Sequence, residues 1–389
     1  MIRICAGSRQ ATETAENWLA RYQGHRPTFA CILSFTETGL RPHISAAGNT
    51  IADRRRTAAI DGEFLLSNEP SIPQLPPLAA GISPAVISRA VLRSLSIPVQ
   101  LLSTGLPVAL SVPYTRLPQV QAHSVETGCA MSLAQADALF AAGQVWGAQL
   151  ATANGYLILA ECVVGGTTTA QAVLTALGYS VDGSMSSSHR VGNHRQKQAL
   201  IAAGLAAWQE QIYVDAYPST DSTEDSTEGG LTGASASRQK MNSAIGAAAA
   251  VGDPMQLVVA GMMISASRVG GVLLAGGAQM LAVYALARAI AQQKSLIWRT
   301  QRVIVGTTRW VVEDSHANTV QIAQQINAPY IASQIDFSQS PYVQLRAYEQ
   351  GFVKEGMGAG GCGIAAHLYK GWTRSQLRHA VEAQLRHAF

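Results

Sequence analysis

The stretch "YLILAECVVGGTTTAQAVLTALG", residues 156 to 178, carries the pattern from which the fold follows. "YLILA" is an unbroken apolar run of strand length, and an alanine-rich segment with helical periodicity follows the glycine pair Gly165 and Gly166. A strand with no polar alternation is buried on both faces, the habit of a parallel sheet covered by helices. Similar runs recur along the chain: "IRICA" at 2–6, "TFACILSF" at 28–35, "PVQLL" at 98–102, "GVLLA" at 271–275, "RVIVG" at 302–306 and "YIASQIDF" at 330–337. Alanine-rich helices such as "SLAQADALFAAGQVWGAQLA" lie between them. The pattern predicts an α/β protein, a three-layer Rossmann-like fold with a mostly parallel sheet.

Composition agrees. Of 389 residues, 48% are hydrophobic and 13% charged, so most of the chain is packed inside. A net charge of +4, with scattered Lys and Arg, argues against a nucleic-acid partner. The one basic run, Arg54–Arg56, reads as a solvated turn. Five widely spaced cysteines form no C-x-x-C pair, which together with an N-terminus lacking a signal-length apolar run predicts a cytoplasmic protein. Residues 269–287 carry no charge, but two glycine pairs and Gln279 divide them into strand, turn and helix, so no membrane span is expected. The polar segment 217–237 reads as a surface loop, either a lid or a connector, and the proline-rich 67–84 as surface wrapping.

Candidate chemistry begins at Glu161, at the carboxyl end of its strand, where open α/β sheets bind ligands. Glycines followed by Thr167 and Thr168 at a helix start suit a phosphate, although a glycine turn with either threonine as N-cap explains the same residues. No G-x-x-x-x-G-K-[ST] pattern is present, so a monophosphate fits better than a triphosphate. Residues 180–200 add hydroxyls, Arg190, Arg195 and Lys197 as further anion ligands. His189 and His194 are five apart, off a common helical face, and predict no metal site.

A second glycine-rich loop, "VKEGMGAGGCGIAA" at 353–366, carries Glu355. It satisfies G-x-G-x-x-G, but no strand precedes it and only 28 residues follow Gly361, too few for a dinucleotide fold. What remains is a loop presenting one carboxylate, whose burial would raise its pKa toward that of a general base.

In these two loops the chain resembles the nicotinate-nucleotide:dimethylbenzimidazole phosphoribosyltransferase (CobT) family. That family has motifs close to G-E-M-G-I-G-N-T-T and G-E-G-S-G-A. Here "ECVVGGTTT" keeps Glu161, Gly165, Thr167 and Thr168, and "KEGMGAGG" keeps Glu355, Gly356, Gly358 and Ala359. Cys162, Gly166 and Met357 depart from the motifs, which marks a divergent branch.

The resemblance implies transfer of the ribose-phosphate of nicotinate mononucleotide to a benzimidazole or purine base, during assembly of the lower ligand of cobalamin-type cofactors. It makes Glu355 the general base and places Glu161 near the ribose. Gly165, Gly166, Thr167 and Thr168 hold the phosphate, with Lys197 nearby, and Gly276, Gly277, Ser338, Gly356 and Gly358 complete the binding set. It also implies a smaller helical domain, a homodimer, and neither cofactor nor metal. Residues 1–27 and 351–389 are then grouped with the smaller domain, and 28–350 with the large one. A non-catalytic nucleotide-binding or regulatory protein on the same scaffold is the alternative.

Overall fold

A computed structural model of the chain describes residues 1–67, 75, 78, 80–189, 193–216 and 241–386. The expected loop at 217–237 and Arg190 lie outside these residues, as does most of 67–84.

Eight strands form one sheet: β1 (Ile2–Ile4), β2 (Thr28–Leu33), β3 (Val99–Ser103), β4 (Thr115–Arg116), β5 (Tyr156–Cys162), β6 (Gly271–Ala275), β7 (Val303–Thr308) and β8 (Tyr330–Ser333). Their order is β1-β8-β7-β6-β5-β2-β3-β4. Every pair is parallel except β1 with β8. This is the expected α/β architecture, with one antiparallel strand at an edge. From β2 the chain winds outward through β3 and β4, and from β5 the other way through β6, β7 and β8. The winding reverses between β2 and β5, and the crevice outside the carboxyl ends of the strands at such a reversal is where open sheets bind ligands.

Two departures from the expected strands have physical reasons. "YIASQIDF" pairs only through Ser333, because its partners end there: Ser333 faces Thr308, after which the helix Arg309–Val312 begins, and Ile2 near the N-terminus. The two-residue β4 has no apolar pattern to announce it and exists only by pairing with Leu102 and Ser103. Arg54–Arg56, read as a turn, lie on the helix Ile51–Leu66, which a capping box of Thr50 and Asp53 starts.

Strand alternation divides the core into two layers. Tyr156, Ile158, Ala160 and Cys162 face one side, packed by the helices Arg9–Tyr22, Ala85–Ser94, Ala359–Lys370 and Arg374–Leu385. Leu157 and Leu159 face the other, packed by Leu133–Leu150, Gly166–Ala176, Pro254–Val269 and Ala278–Gln293. Residues 1–27 supply β1 and a helix whose Trp18 packs its ring against Tyr22 and Tyr156; residues 351–389 supply two more helices on that face. Both segments therefore pack directly on the sheet. The stretch 269–287 is β6, a glycine turn and a helix, and among the described residues no helix is long and apolar enough to cross a membrane. All five cysteines are free, and only Cys129 is exposed.

Candidate active site

A cavity of about 210 Å³ opens at the carboxyl ends of β5, β6 and β7. Its wall includes Glu161, Gly165, Gly166, Thr167, Gly277, Glu355 and Gly356, brought together from three distant parts of the chain. A water occupies about 30 Å³ in the liquid, so this volume suits an organic ligand.

Glu161 continues the inward parity of Leu157 and Leu159 and is only 4% exposed. One carboxyl oxygen accepts from the Val163 N–H at 3.0 Å and the other from Gln279 Nε2 at 3.0 Å. Burial, reinforced by the nearby carboxyls of Asp253 and Glu355, pushes its pKa up to about 8. Asp253 is itself buried at a helix N-cap, accepts from Thr169 Oγ1, and is raised to about 6 by burial.

The turn after β5 packs backbone against backbone. Gly165 has φ +89°, and a Cβ there would lie 2.6 Å from the Gly39 nitrogen, so no larger residue fits. Helix Gly166–Ala176 starts from Gly165 with no side-chain cap, and helix Ala278–Gln293 starts likewise from Gly277. Thr167 and Thr168 are therefore first-turn residues, and neither is the N-cap.

Behind the first helix start lies Lys197, completely buried. Among the described residues the one hydrogen bond of its side chain runs from Nζ to Thr167 Oγ1 at 3.1 Å. Burial pulls its pKa down to about 8, with Lys354 adding repulsion. A buried ammonium with spare donors beside an uncapped helix start is a place where an anion gains strongly. His189 also lines the cavity; burial and Lys197 lower its pKa, and among the described residues its Nε2 has no hydrogen-bond partner.

Glu355 is held differently. Oε2 accepts from Thr307 Oγ1 at 3.0 Å and the Thr308 N–H at 2.9 Å; Oε1 accepts from the Gly356 and Gly360 N–H groups at 3.2 and 3.1 Å. Burial raises its pKa, and these four donors oppose the rise. Gly360 permits the arrangement, since a Cβ there would lie 2.1 Å from the Thr307 carbonyl carbon and 2.6 Å from Oε2.

The backbone leading to Glu355 is strained. Val353 and Lys354 have φ of 66° and 67°, and two successive three-residue turns close through Lys354 N–H to Phe352 O at 2.8 Å and Glu355 N–H to Val353 O at 2.9 Å. Each such residue costs about 1–3 kcal/mol and persists only where its surroundings enforce it. The enforcing contacts are visible: Lys354 Nζ donates to Asp314 at 2.6 Å and to the Ser187 and His189 carbonyls, while Thr308 Oγ1 donates to Lys354 O at 2.6 Å. Met357 N–H then donates to Glu161 O at 3.2 Å, which ties the two acidic segments together.

Several expected site residues stand elsewhere. Ser338 is exposed, its N–H bonded to Asp336, away from the cavity wall. Gly276 binds the Gly306 carbonyl behind the wall, Gly358 packs on Ala160 and Phe29, and Thr168 is fully buried with its hydroxyl unpartnered; none of the three lines the cavity. Arg195 is exposed. His194 Nε2 bonds the His316 carbonyl at 2.7 Å and does not turn toward His189, and among the described residues no cluster of potential metal ligands exists. Conversely, sequence reasoning missed Gln279, Thr307, Thr308, Gly360, His189 as a wall residue and Asp61. Of these only Gly360 left a signal, the glycine density of its loop.

Comparison with solved structures places the fold among those of CobT enzymes. The chain superimposes on the crystal structure of a CobT from Thermus thermophilus with a TM-score of 0.55 and 14% identity, covering 96% of each chain. It matches a nicotinate-nucleotide-dimethylbenzimidazole phosphoribosyltransferase structure from the same organism with a TM-score of 0.53 at 14% identity, over 97% of this chain and 96% of that one. The fold class is thus CobT-like. By sequence the chain belongs to the UPF0284 family: it is 49% identical over 371 residues to a UPF0284 protein of Cyanothece sp. (strain PCC 7425 / ATCC 29141), covering 95% of this chain and 94% of that one. It is 50% identical over 378 residues to another from Acaryochloris marina (strain MBIC 11017), covering 96% and 95%. No family model matches the chain. At 14% identity the likeness to the CobT structures is one of fold, whereas about 50% identity places the chain with the UPF0284 proteins.

Proposed function

We propose that this chain is a phosphoribosyltransferase that moves the ribose-phosphate of nicotinate mononucleotide to a heteroaromatic base, benzimidazole or purine, and releases nicotinate, in the nucleotide-loop branch of cobalamin synthesis. The reading rests above all on the meeting in one cavity of Glu161, Glu355 and an uncapped helix start, whose Thr167 is backed by the buried Lys197. The CobT-like fold supports it.

In this reading the donor phosphate lies against Gly165, Gly166 and Thr167, with the Lys197 ammonium behind them. The ribose then reaches Glu161. Nicotinate bonded through its ring nitrogen carries a positive charge and is an activated leaving group. A nitrogen lone pair of the acceptor attacks ribose C1′, the bond from C1′ to the nicotinate nitrogen breaks, and its electron pair neutralises the ring. The acceptor's N–H proton passes to Glu355. Four donors keep that carboxyl ionised enough to accept it, while burial keeps it basic enough to hold it. Alignment of the two rings supplies much of the remaining acceleration.

The test is to incubate the protein with nicotinate mononucleotide and a panel of bases and to measure free nicotinate. Release that depends on an added base supports the reading. Tight binding of the nucleotide without release replaces it with a non-catalytic nucleotide-binding role.

A further inference from the structure

Asp61 is a buried carboxyl in the cavity wall for which the transfer chemistry has no use. It comes from helix Ile51–Leu66 and meets the end of β5 from the side opposite Glu161: Cys162, the next residue along the strand, points to it by alternation. Its Oδ1 accepts from Ser83 Oγ at 2.7 Å, whereas among the described residues Oδ2 has only the Cys162 thiol, a weak donor, at 3.8 Å. Burial pushes its pKa up to about 7, as expected of a carboxyl short of donors.

Its position assigns it to one end of the ligand. The phosphate-holding group, Lys197 with helix Gly166–Ala176, belongs to one face of the sheet, and Asp61 and the helix that follows Glu355 to the other. Ser83, bonded to Asp61, precedes Pro84, whose ring stands 3.3 Å from where a Gly356 Cβ would be, next to Glu355. The cavity wall also carries the apolar Leu78, Ala80, Pro84 and Met357, with Thr57 and Ser83 as its polar members beside Asp61. A mixed slot with a carboxyl acceptor, beside the group that removes the incoming proton, suits a flat ring that carries a donor of its own.

We propose that Asp61 is the specificity-determining residue for the acceptor, and that it selects a heteroaromatic base bearing an exocyclic N–H donor, an aminopurine, over a base with only apolar substituents. The proposal rests on the reading of the cavity as a base-exchange site and adds the acceptor's class. A site built around a polar group rejects the analogue that leaves the group unpaired more strongly than an apolar slot rejects an extra methyl.

The experiment is calorimetric titration of the full chain with adenine, with purine, which lacks only the amino group, and with 5,6-dimethylbenzimidazole. Adenine is expected to bind about 10- to 100-fold more tightly than purine, the worth of a hydrogen bond to a charged group. Asp61→Ala, checked for folding by its melting temperature, closes that gap, and Asp61→Asn, which retains a carbonyl acceptor, narrows it less. Equal binding of adenine and purine by the wild type, no detectable binding of adenine, or a gap that survives in folded D61A overturns the proposal. Nicotinate release is scored separately: release without an adenine preference sinks this inference and leaves the transferase reading intact, and the preference without release does the reverse.

Discussion

Glu161 and Glu355 end in the same cavity but are held in opposite ways. Glu161 is buried, with one backbone and one amide donor and two carboxyls nearby, so it holds its proton to about pH 8. Glu355 is partly exposed to the cavity and is cradled by three backbone N–H groups and a hydroxyl, with a strained backbone leading into it. Like charge nearby adds to the rise at Glu161, whereas the four donors oppose the rise at Glu355. The glycine loops are therefore unequal: one holds a carboxyl raised to about 8, and the other a carboxyl whose rise its cradle of donors holds back.

Glu355→Ala tests this contrast most severely. Base-dependent release of nicotinate should fall by about 10²- to 10⁴-fold, with binding of nicotinate mononucleotide retained, as measured by initial rates and by titration. Full activity in that variant would remove Glu355 from its role.

The next test concerns Glu161 and pH. Its folded pKa of about 8 stands above its ordinary 4.5, so between these values the folded state binds more protons than the unfolded state. The stability it contributes is complete below about pH 4.5 and is lost as pH rises through about 8, a change on the order of a few kcal/mol. Denaturant unfolding of the ligand-free protein should show this decline, and Glu161→Gln should flatten it; an unchanged slope would contradict the protonated state.

Lys197→Met should raise KM for the nucleotide about 10- to 100-fold with a smaller effect on kcat, since the lost contact is to the phosphate in both ground and transition states. Its melting temperature should stay level or rise, because an apolar side chain replaces a buried charge with few partners. At the small end, Ser338→Ala should leave the rate unchanged and stability within about 0.5 kcal/mol, as its exposed position requires.

Much of the scaffold was legible because it is written locally. β6 matches the expected "GVLLA" at both ends, and the run before Glu161 shows a strand buried on both faces. The glycine pairs announced turns because only glycine takes the φ that Gly165 needs. Lys197 was visible only as a cation in a polar neighbourhood. Ser338 was placed in the site by motif likeness alone, which says nothing about exposure.

The order of amino acids thus specified the layers, the two acidic loops and the helix starts, since strand periodicity, helix periodicity and backbone strain are properties of neighbouring residues. Which groups meet was a matter for the tertiary structure. Placing β5 against β2 puts the reversal of winding beside Glu161, and the alternation at the strand's end sends Glu161 toward Gln279 and Cys162 toward Asp61. The four donors on Glu355 come from β7, from the adjacent Gly356 and from the helix start that follows, and the charge state of each carboxyl is set by burial and distant partners as well as by adjacent ones. Such long-range encounters have no signature in local pattern, because the field at a buried group depends on everything packed around it.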